Sequence, residues 1–126
     1  MGAPTASDFM KVKVPKGATE VKGAVQINPR EDIHLLSFVT DEENAARIAE
    51  DLRSEEPLRT RKYMIPPTAE LFGHLGLDEP QTLEGVRWAG VCPPCVGDQR
   101  RSEVAWIEIY VHAGAQGKAR VYLQAY

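Results

Sequence analysis

The stretch VAWIEIYVHAGAQGKARVYLQAY, residues 104–126, decides the fold. On both sides of a turn at residues 114–118, aliphatic side chains alternate with polar or aromatic ones, which is the pattern of two half-buried strands in a hairpin. Faces must match across such a pair, and the five-residue turn sets which positions are opposed. The predicted pairs are His112 with Arg120, Tyr110 with Tyr122, Glu108 with Gln124, and Trp106 with Tyr126.

A second hairpin and a helix are predicted upstream. Apolar residues recur with period two over residues 21–27, a turn cluster follows at 28–32, and residues 33–39 form an apolar run. Thr40-Asp41-Glu42-Glu43 then has the form of a capping box, in which Thr40 begins an amphipathic helix that ends near Arg53.

The remaining chain contains weaker signals. Residues 1–8 are small and polar and are expected to be a disordered tail or a remnant, and Phe9 to Val14 is expected to be a strand. Leu58 to Ile65 is expected to be an extended connection or an edge strand. Thr68 to Leu75 is expected to form a short helix that ends at Gly76, with Leu77 folding back onto Phe72. A further strand is expected around Val86 and Trp88.

These elements predict one α+β domain over residues 9–126. We expect an antiparallel sheet of about five to six strands, with one long and one short helix packed on one face. A length of 126 residues fits a single domain. The net charge is −3, so a nucleic-acid backbone is not an expected partner. No apolar run approaches the ~20 residues of a membrane span.

Cys92-Pro93-Pro94-Cys95 is the most distinctive motif, and it holds the only two cysteines of the chain. Such a pair is compatible with a redox dithiol, half of a zinc site, or a local disulfide. We favour a structural disulfide, because the two cysteines lie within reach of each other in a loop without room for a long helix. A disulfide would indicate an oxidising compartment.

One face of the C-terminal hairpin is the candidate binding surface. It combines aromatic rings with polar groups, and Trp, Tyr and Arg are enriched where proteins bind partners. Ordinary cross-strand packing is the alternative interpretation of the same pattern. The candidate residues are Trp106, Tyr110, His112, Arg120, Tyr122 and Tyr126.

Two segments of the N-terminal half suggest a relationship. Residues 14–21 read VPKGATEV, and residues 32–40 read DIHLLSFVT before the predicted helix. Over residues 9–53 the chain thereby resembles small secreted proteins and lipoproteins of actinobacteria, of unknown function. The resemblance implies an exported, membrane-anchored domain whose signal peptide and lipidated cysteine have been removed. It implies no catalytic residue.

We therefore expect a non-catalytic, extracytoplasmic binding or accessory domain whose partner is a protein or a small ligand. No catalytic, cofactor-binding or metal residue is nominated, and no cofactor is expected. The sequence leaves two alternatives open. One is a thiol–disulfide oxidoreductase that uses Cys92 and Cys95, and the other is a zinc-binding protein.

Overall fold

Six strands form one antiparallel sheet, and two α-helices pack on it, within residues 2–54, 57–60 and 71–126, which the computed structural model describes. In chain order the elements are α1 (Ala3–Met10), β1 (Thr19–Gln26), β2 (Ile33–Asp41), α2 (Glu42–Asp51), β3 (Arg59–Thr60), β4 (Arg87–Val91), β5 (Ile107–Ala113) and β6 (Lys118–Ala125). The strand order is β1-β2-β6-β5-β4-β3, so the two predicted hairpins meet where β2 pairs with β6. The predicted α+β class is confirmed.

The C-terminal hairpin has the predicted register. His112 faces Arg120, Tyr110 faces Tyr122, and Glu108 faces Gln124. The pairing continues beyond the strands, since the backbones of Trp106 and Tyr126 exchange hydrogen bonds of 3.1 Å in both directions. The aliphatic face of this hairpin, with Ile107, Ile109 and Val111, lies under α1 and α2 and forms the main core.

The N-terminal segment is ordered from residue 3 onward, so the expectation of a disordered tail is wrong. Residues 3–10 form α1, and the predicted strand at Phe9 to Val14 is absent. Ala6 and Met10, one helical turn apart, are completely buried against the sheet. Gly23 in β1 allows this close approach, because a Cβ at that position would overlap the backbone of Ala3.

The predicted capping box at Thr40 is also wrong. Thr40 stays in β2, because the ladder between β2 and β6 extends through Asp41, which faces Lys118. The backbone amide of Glu42 donates to the carbonyl of Gly117 (2.9 Å), and Thr40 Oγ1 accepts from the Asn44 side chain (3.1 Å). The N-cap of α2 is therefore Asp41, one residue later than predicted, and the helix begins at Glu42.

The predicted short helix is a 3-10 turn, Phe72–Leu75, and it lies on the other face of the sheet. Gly76 is left-handed, and the amides of Leu77 and Gly76 donate to the carbonyls of Phe72 and Gly73, which is the predicted helix end. One longer and one shorter α-helix do share one face of the sheet, as predicted. The shorter helix on that face is α1, however, and not the segment that ends at Gly76. Residues 61–65 and 68–70 of the predicted elements lie outside the described residues.

The predicted strand around Val86 and Trp88 is β4, and the edge strand expected from Leu58 onward is the two-residue β3. None of the helices within the described ranges has the length and hydropathy needed to cross a membrane.

Candidate functional site

The middle of the predicted binding surface is covered. Tyr110 and Tyr122 are only 1% and 4% exposed, so the expectation that these two rings are accessible is wrong. Phe72 packs edge-on against Tyr122 with ring centroids 5.4 Å apart. This burial raises the pKa of the Tyr122 hydroxyl. The two rings belong to a second core that also contains Leu35, Leu71, Phe72 and Val86.

The polar end of the predicted surface is held by an ion pair. Arg120 faces His112 across the strands, as predicted, and its Nη2 donates to Glu20 Oε1 at 2.9 Å. Both His112 and Arg120 are half-buried. Trp106 and Tyr126 lie at the opposite end of the same strands, beyond the buried tyrosines. The six candidate residues therefore do not form one continuous exposed surface.

Trp106 is fixed by its neighbours at that opposite end. Its Nε1 donates to Glu108 Oε1 (3.3 Å), and the Tyr110 hydroxyl donates to Glu108 Oε2 (2.7 Å). The indole lies on Gly90 of β4, where a Cβ would overlap the ring and lie 3.0 Å from Cη2. The glycine therefore allows the ring to approach the strand closely, and the Glu108 carboxylate holds its Nε1.

The edge cavity is a space of about 380 Å³ beside β4. Both tryptophans of the chain, Trp88 and Trp106, line it. Arg59 of β3 faces Trp88 across the strands, and its guanidinium lies over the indole, 5.5 Å from the centroid. The other lining residues are Ser54, Pro57, Ala89, Gly90, Val91, Cys92, Cys95 and Val96.

The cavity lies at the outer edge of β4, beside the described part of β3. Within the described residues, β3 pairs only with Arg87 and Trp88. Further along this edge the Ser54 hydroxyl donates to the carbonyl of Gly90 (3.1 Å). A second space, of about 540 Å³, lies on the α2 side and shares Ser54, Pro57 and Ala89 with the edge cavity. It contains neither tryptophan, so we centre the candidate site on the edge cavity.

Cys92 and Cys95 form a disulfide, which confirms the predicted bridge. The bridge forms part of the cavity wall directly after β4. Residues 92–98 make a single turn closed by backbone hydrogen bonds: the amides of Cys95 and Val96 donate to the Cys92 carbonyl (2.9 and 3.2 Å). The amides of Gly97 and Asp98 donate to the carbonyls of Pro94 and Pro93 (3.3 and 2.9 Å).

The Arg101 cluster, defined as Asp51, Asp98, Arg100 and Arg101, anchors the end of this turn. Arg101 is 1% exposed and donates to the carboxylates of Asp98 (2.6 Å) and Asp51 (2.9 Å). Hydrogen bonds from Arg100 and Arg101 lower the pKa of the Asp98 carboxyl to about 2. Arg101 also donates to the backbone carbonyls of Met10, Lys11 and Asp51.

Sequence reasoning identified Trp106 and the disulfide but missed Trp88, Arg59 and the Arg101 cluster. The available signal for Trp88 was its alternation with Gly90 in the strand that leads into Cys92. The signal for the cluster was the spacing of three between Asp98 and Arg101.

The described residues offer no group of three His, Cys, Asp or Glu side chains placed to hold a metal ion. The two cysteines are bonded to each other, so they do not supply thiolate ligands in this state. His34 stacks on Phe9 with centroids 3.8 Å apart, and His74 Nε2 pairs with Gln26 Oε1 at 2.9 Å. In the part of the chain that the structure describes, nothing favours the zinc alternative.

No protein-family model, curated protein or solved structure matches the chain. The resemblance of residues 9–53 to secreted actinobacterial proteins therefore stays a prediction.

Proposed function

We propose that the protein is a non-catalytic binding domain whose edge cavity takes a small ligand with a flat ring and a negatively charged group. One observation carries this proposal: the only two tryptophans of the chain line the same cavity. A volume of about 380 Å³ falls within the range of roughly 300–1,000 Å³ that is typical of small-molecule sites.

The walls of the cavity support a ring-shaped ligand. Indole faces bind other rings by stacking and bury a large apolar area. Trp106 is already oriented by Glu108 and Gly90, so little side-chain freedom is lost when a ligand binds. Rigid aromatic walls of this kind favour affinity for flat molecules over flexible chains.

The charge of the ligand is inferred from Arg59. Among the described lining residues, Arg59 carries the only charged side chain. Its guanidinium is positioned over Trp88, beside the space that a ring would occupy. A carboxylate or sulfonate on the ligand would accept charge-assisted hydrogen bonds from this group, whereas an ammonium group would be repelled.

Two probes with the same ring and opposite charge test the proposal: 2-naphthoate and 2-naphthylmethylammonium. Two tryptophans give two indole N–H signals in a ¹H–¹⁵N spectrum, and both report on the cavity. We expect both signals to shift saturably with 2-naphthoate, and the affinity of the ammonium probe to be at least about 10-fold weaker.

Trp106→Leu removes one wall and should weaken 2-naphthoate at least about 10-fold. Ile27→Ser is the matched control, because Ile27 is an exposed hydrophobic residue outside the cavity and its replacement should leave the affinity unchanged. Indole signals that fail to respond to 2-naphthoate would overturn the proposed site. Equal or tighter binding of the ammonium probe would overturn the assigned ligand charge.

We also propose that the domain works outside the cytoplasm. The Cys92–Cys95 disulfide supports this location, because such bonds persist mainly in oxidising compartments. In the test, intact native cells are first treated with a reductant that does not cross membranes. They are then labelled with a thiol reagent that does not cross membranes either. Labelling of Cys92 and Cys95 in intact cells is expected, and labelling only after lysis would contradict it. A lipid anchor, implied by the resemblance, remains a prediction.

A further inference from the structure

We propose that Cys92–Cys95 is an exchangeable disulfide, and that a partner dithiol reduces it by attacking Sγ of Cys95. This activity goes beyond the binding function and does not depend on the ring-shaped ligand. Two features of the turn carry it: the two sulfurs differ in their surroundings, and the turn is held by other bonds.

The two cysteines differ in exposure. Cys95 is exposed, whereas Cys92 is half-buried at the end of β4. The backbone amide of Cys95 also donates to Cys92 Sγ at 3.3 Å. In the reduced protein that donor would stabilise a thiolate on Cys92, and a more stable thiolate is a better leaving group. An incoming thiolate therefore reaches Cys95 and expels Cys92.

The turn keeps its shape without the sulfur–sulfur bond. Four backbone hydrogen bonds close residues 92–98, and Pro93 is buried beneath them. Proline also restricts the backbone of this segment in the unfolded chain. At its far end the turn is fastened by Asp98, which accepts from both Arg100 and Arg101. The ring closed by the disulfide is very small, so the bond removes little entropy from the unfolded chain.

Because these other bonds already hold the turn, the disulfide is easy to reduce. In a thermodynamic cycle, a disulfide resists reduction in the folded protein only by as much as it stabilises the fold. A bond that adds little to stability therefore has nearly the equilibrium of the same pair in an unstructured peptide. A disulfide that contributes strongly to stability would instead resist reduction in the folded protein.

The exchange balances in two steps. A partner thiolate bonds to Cys95 Sγ, the Cys92–Cys95 bond breaks, and its electron pair leaves on Cys92 as a thiolate. The second partner thiolate then attacks the partner sulfur of the mixed disulfide and expels Cys95 as a thiolate. The partner dithiol has lost two electrons and become a disulfide, and Cys92 and Cys95 have each taken up a proton from water.

The first experiment compares thermal unfolding of the oxidised protein with that of the same protein reduced by a phosphine. We expect the two melting temperatures to differ by less than about 3 °C. A loss of more than about 10 °C on reduction would show a structural staple and overturn the proposal. In an excess of reduced glutathione the folded protein is expected to accumulate the dithiol form, and persistence of the oxidised form would also overturn it.

The second experiment identifies the attacked sulfur with a matched pair of variants. Cys92→Ser leaves only the exposed thiol, and Cys95→Ser leaves only the half-buried one. The reaction with oxidised glutathione is followed by intact-protein mass spectrometry at about pH 10, where both thiols are ionised and the difference in their pKa no longer decides the rate. Under these conditions Cys92→Ser should form the mixed disulfide about 10-fold faster. Equal rates, or a faster Cys95→Ser, would overturn the assignment of Cys95. These readouts involve no ring ligand, so their failure is distinct from failure of the proposed binding function.

Discussion

The first and second halves of the segment 92–101 build two regions with opposite physical character. In the first half, Cys92, Cys95 and Val96 line the edge cavity together with both indole rings. In the second half, Asp98 and Arg101 are buried in the Arg101 cluster. Each nitrogen of the Arg101 guanidinium donates to a carboxylate or a carbonyl. One region lines the cavity of the proposed ligand site, and in the other the hydrogen-bonding groups are used within the protein.

The difference explains how a short segment can form a cavity wall. A buried charge is tolerated only where its partners are complete, and such a cluster has one favourable arrangement. Through Arg101 the cluster joins the ends of both helices, since Met10 and Asp51 are their last residues. The cluster therefore holds the turn in place, and the first half of the segment lines the edge cavity.

Replacement of Arg101 should have the largest effect. Arg101→Met keeps a long side chain but removes the shortest hydrogen bond to the buried Asp98 carboxylate, the 2.6 Å contact from Arg101. The backbone carbonyls of Met10 and Lys11 also lose the hydrogen bonds that the Arg101 guanidinium donates to them. We expect a loss of about 3–5 kcal/mol in the free energy of unfolding, measured with urea.

Arg100→Gln is the matched control. Arg100 shares the partners Asp51 and Asp98, but its side chain is 46% exposed, so water screens the pairs. We expect a loss below about 1 kcal/mol. If Arg101→Met and Arg100→Gln lose equal stability, the burial of Arg101 is not the reason for its contribution to stability.

The sequence predicted the hairpins well because their signal is local. Alternation of period two and a short turn set the register of Trp106 to His112 against Arg120 to Tyr126, and nothing distant competes with it. The errors arose where distant contacts decide. Thr40 has the capping pattern, but the ladder with β6 keeps it extended, and α1 depends on Ala3 fitting against Gly23.

The site was predicted only in part for the same reason. Trp106 was nominated from its own strand, whereas Trp88 and Arg59 reach the cavity through the order β5-β4-β3, which alternation within one strand does not reveal. The burial of Tyr110 and Tyr122 comes from the 3-10 turn at Phe72, on the face where no helix was expected. Arg101 lies in a turn-rich stretch, where an arginine is ordinarily exposed.

The Arg101 cluster should also make the free energy of unfolding depend on pH, and this effect is expected to be smaller than that of Arg101→Met. The pKa of Asp98 is lowered from 3.8 to about 2 in the folded protein. Its carboxylate therefore contributes stability that is complete above about pH 4 and is lost as the pH falls toward 2. We expect this loss to be about 2 kcal/mol. Urea unfolding across this interval measures it. Asp98→Asn should be less stable at neutral pH but show a flatter slope, and an unchanged slope would assign the acid sensitivity to other groups.

The smallest change in stability, and the most direct test of the cavity side, is expected from Gly90→Ala. The added methyl group would overlap the Trp106 ring, which must then move away from Glu108. Because the ring can swing into the edge cavity, we expect the free energy of unfolding to fall by only about 1 kcal/mol, at the low end for overpacking. The Trp106 indole N–H signal should shift, and 2-naphthoate should bind more weakly. Gly114→Ala is the matched control, since its methyl group would meet nothing closer than the Lys118 carbonyl at 3.6 Å. An unmoved indole signal in Gly90→Ala would show that the glycine does not position Trp106, and the rigid wall inferred for the cavity would be lost with it.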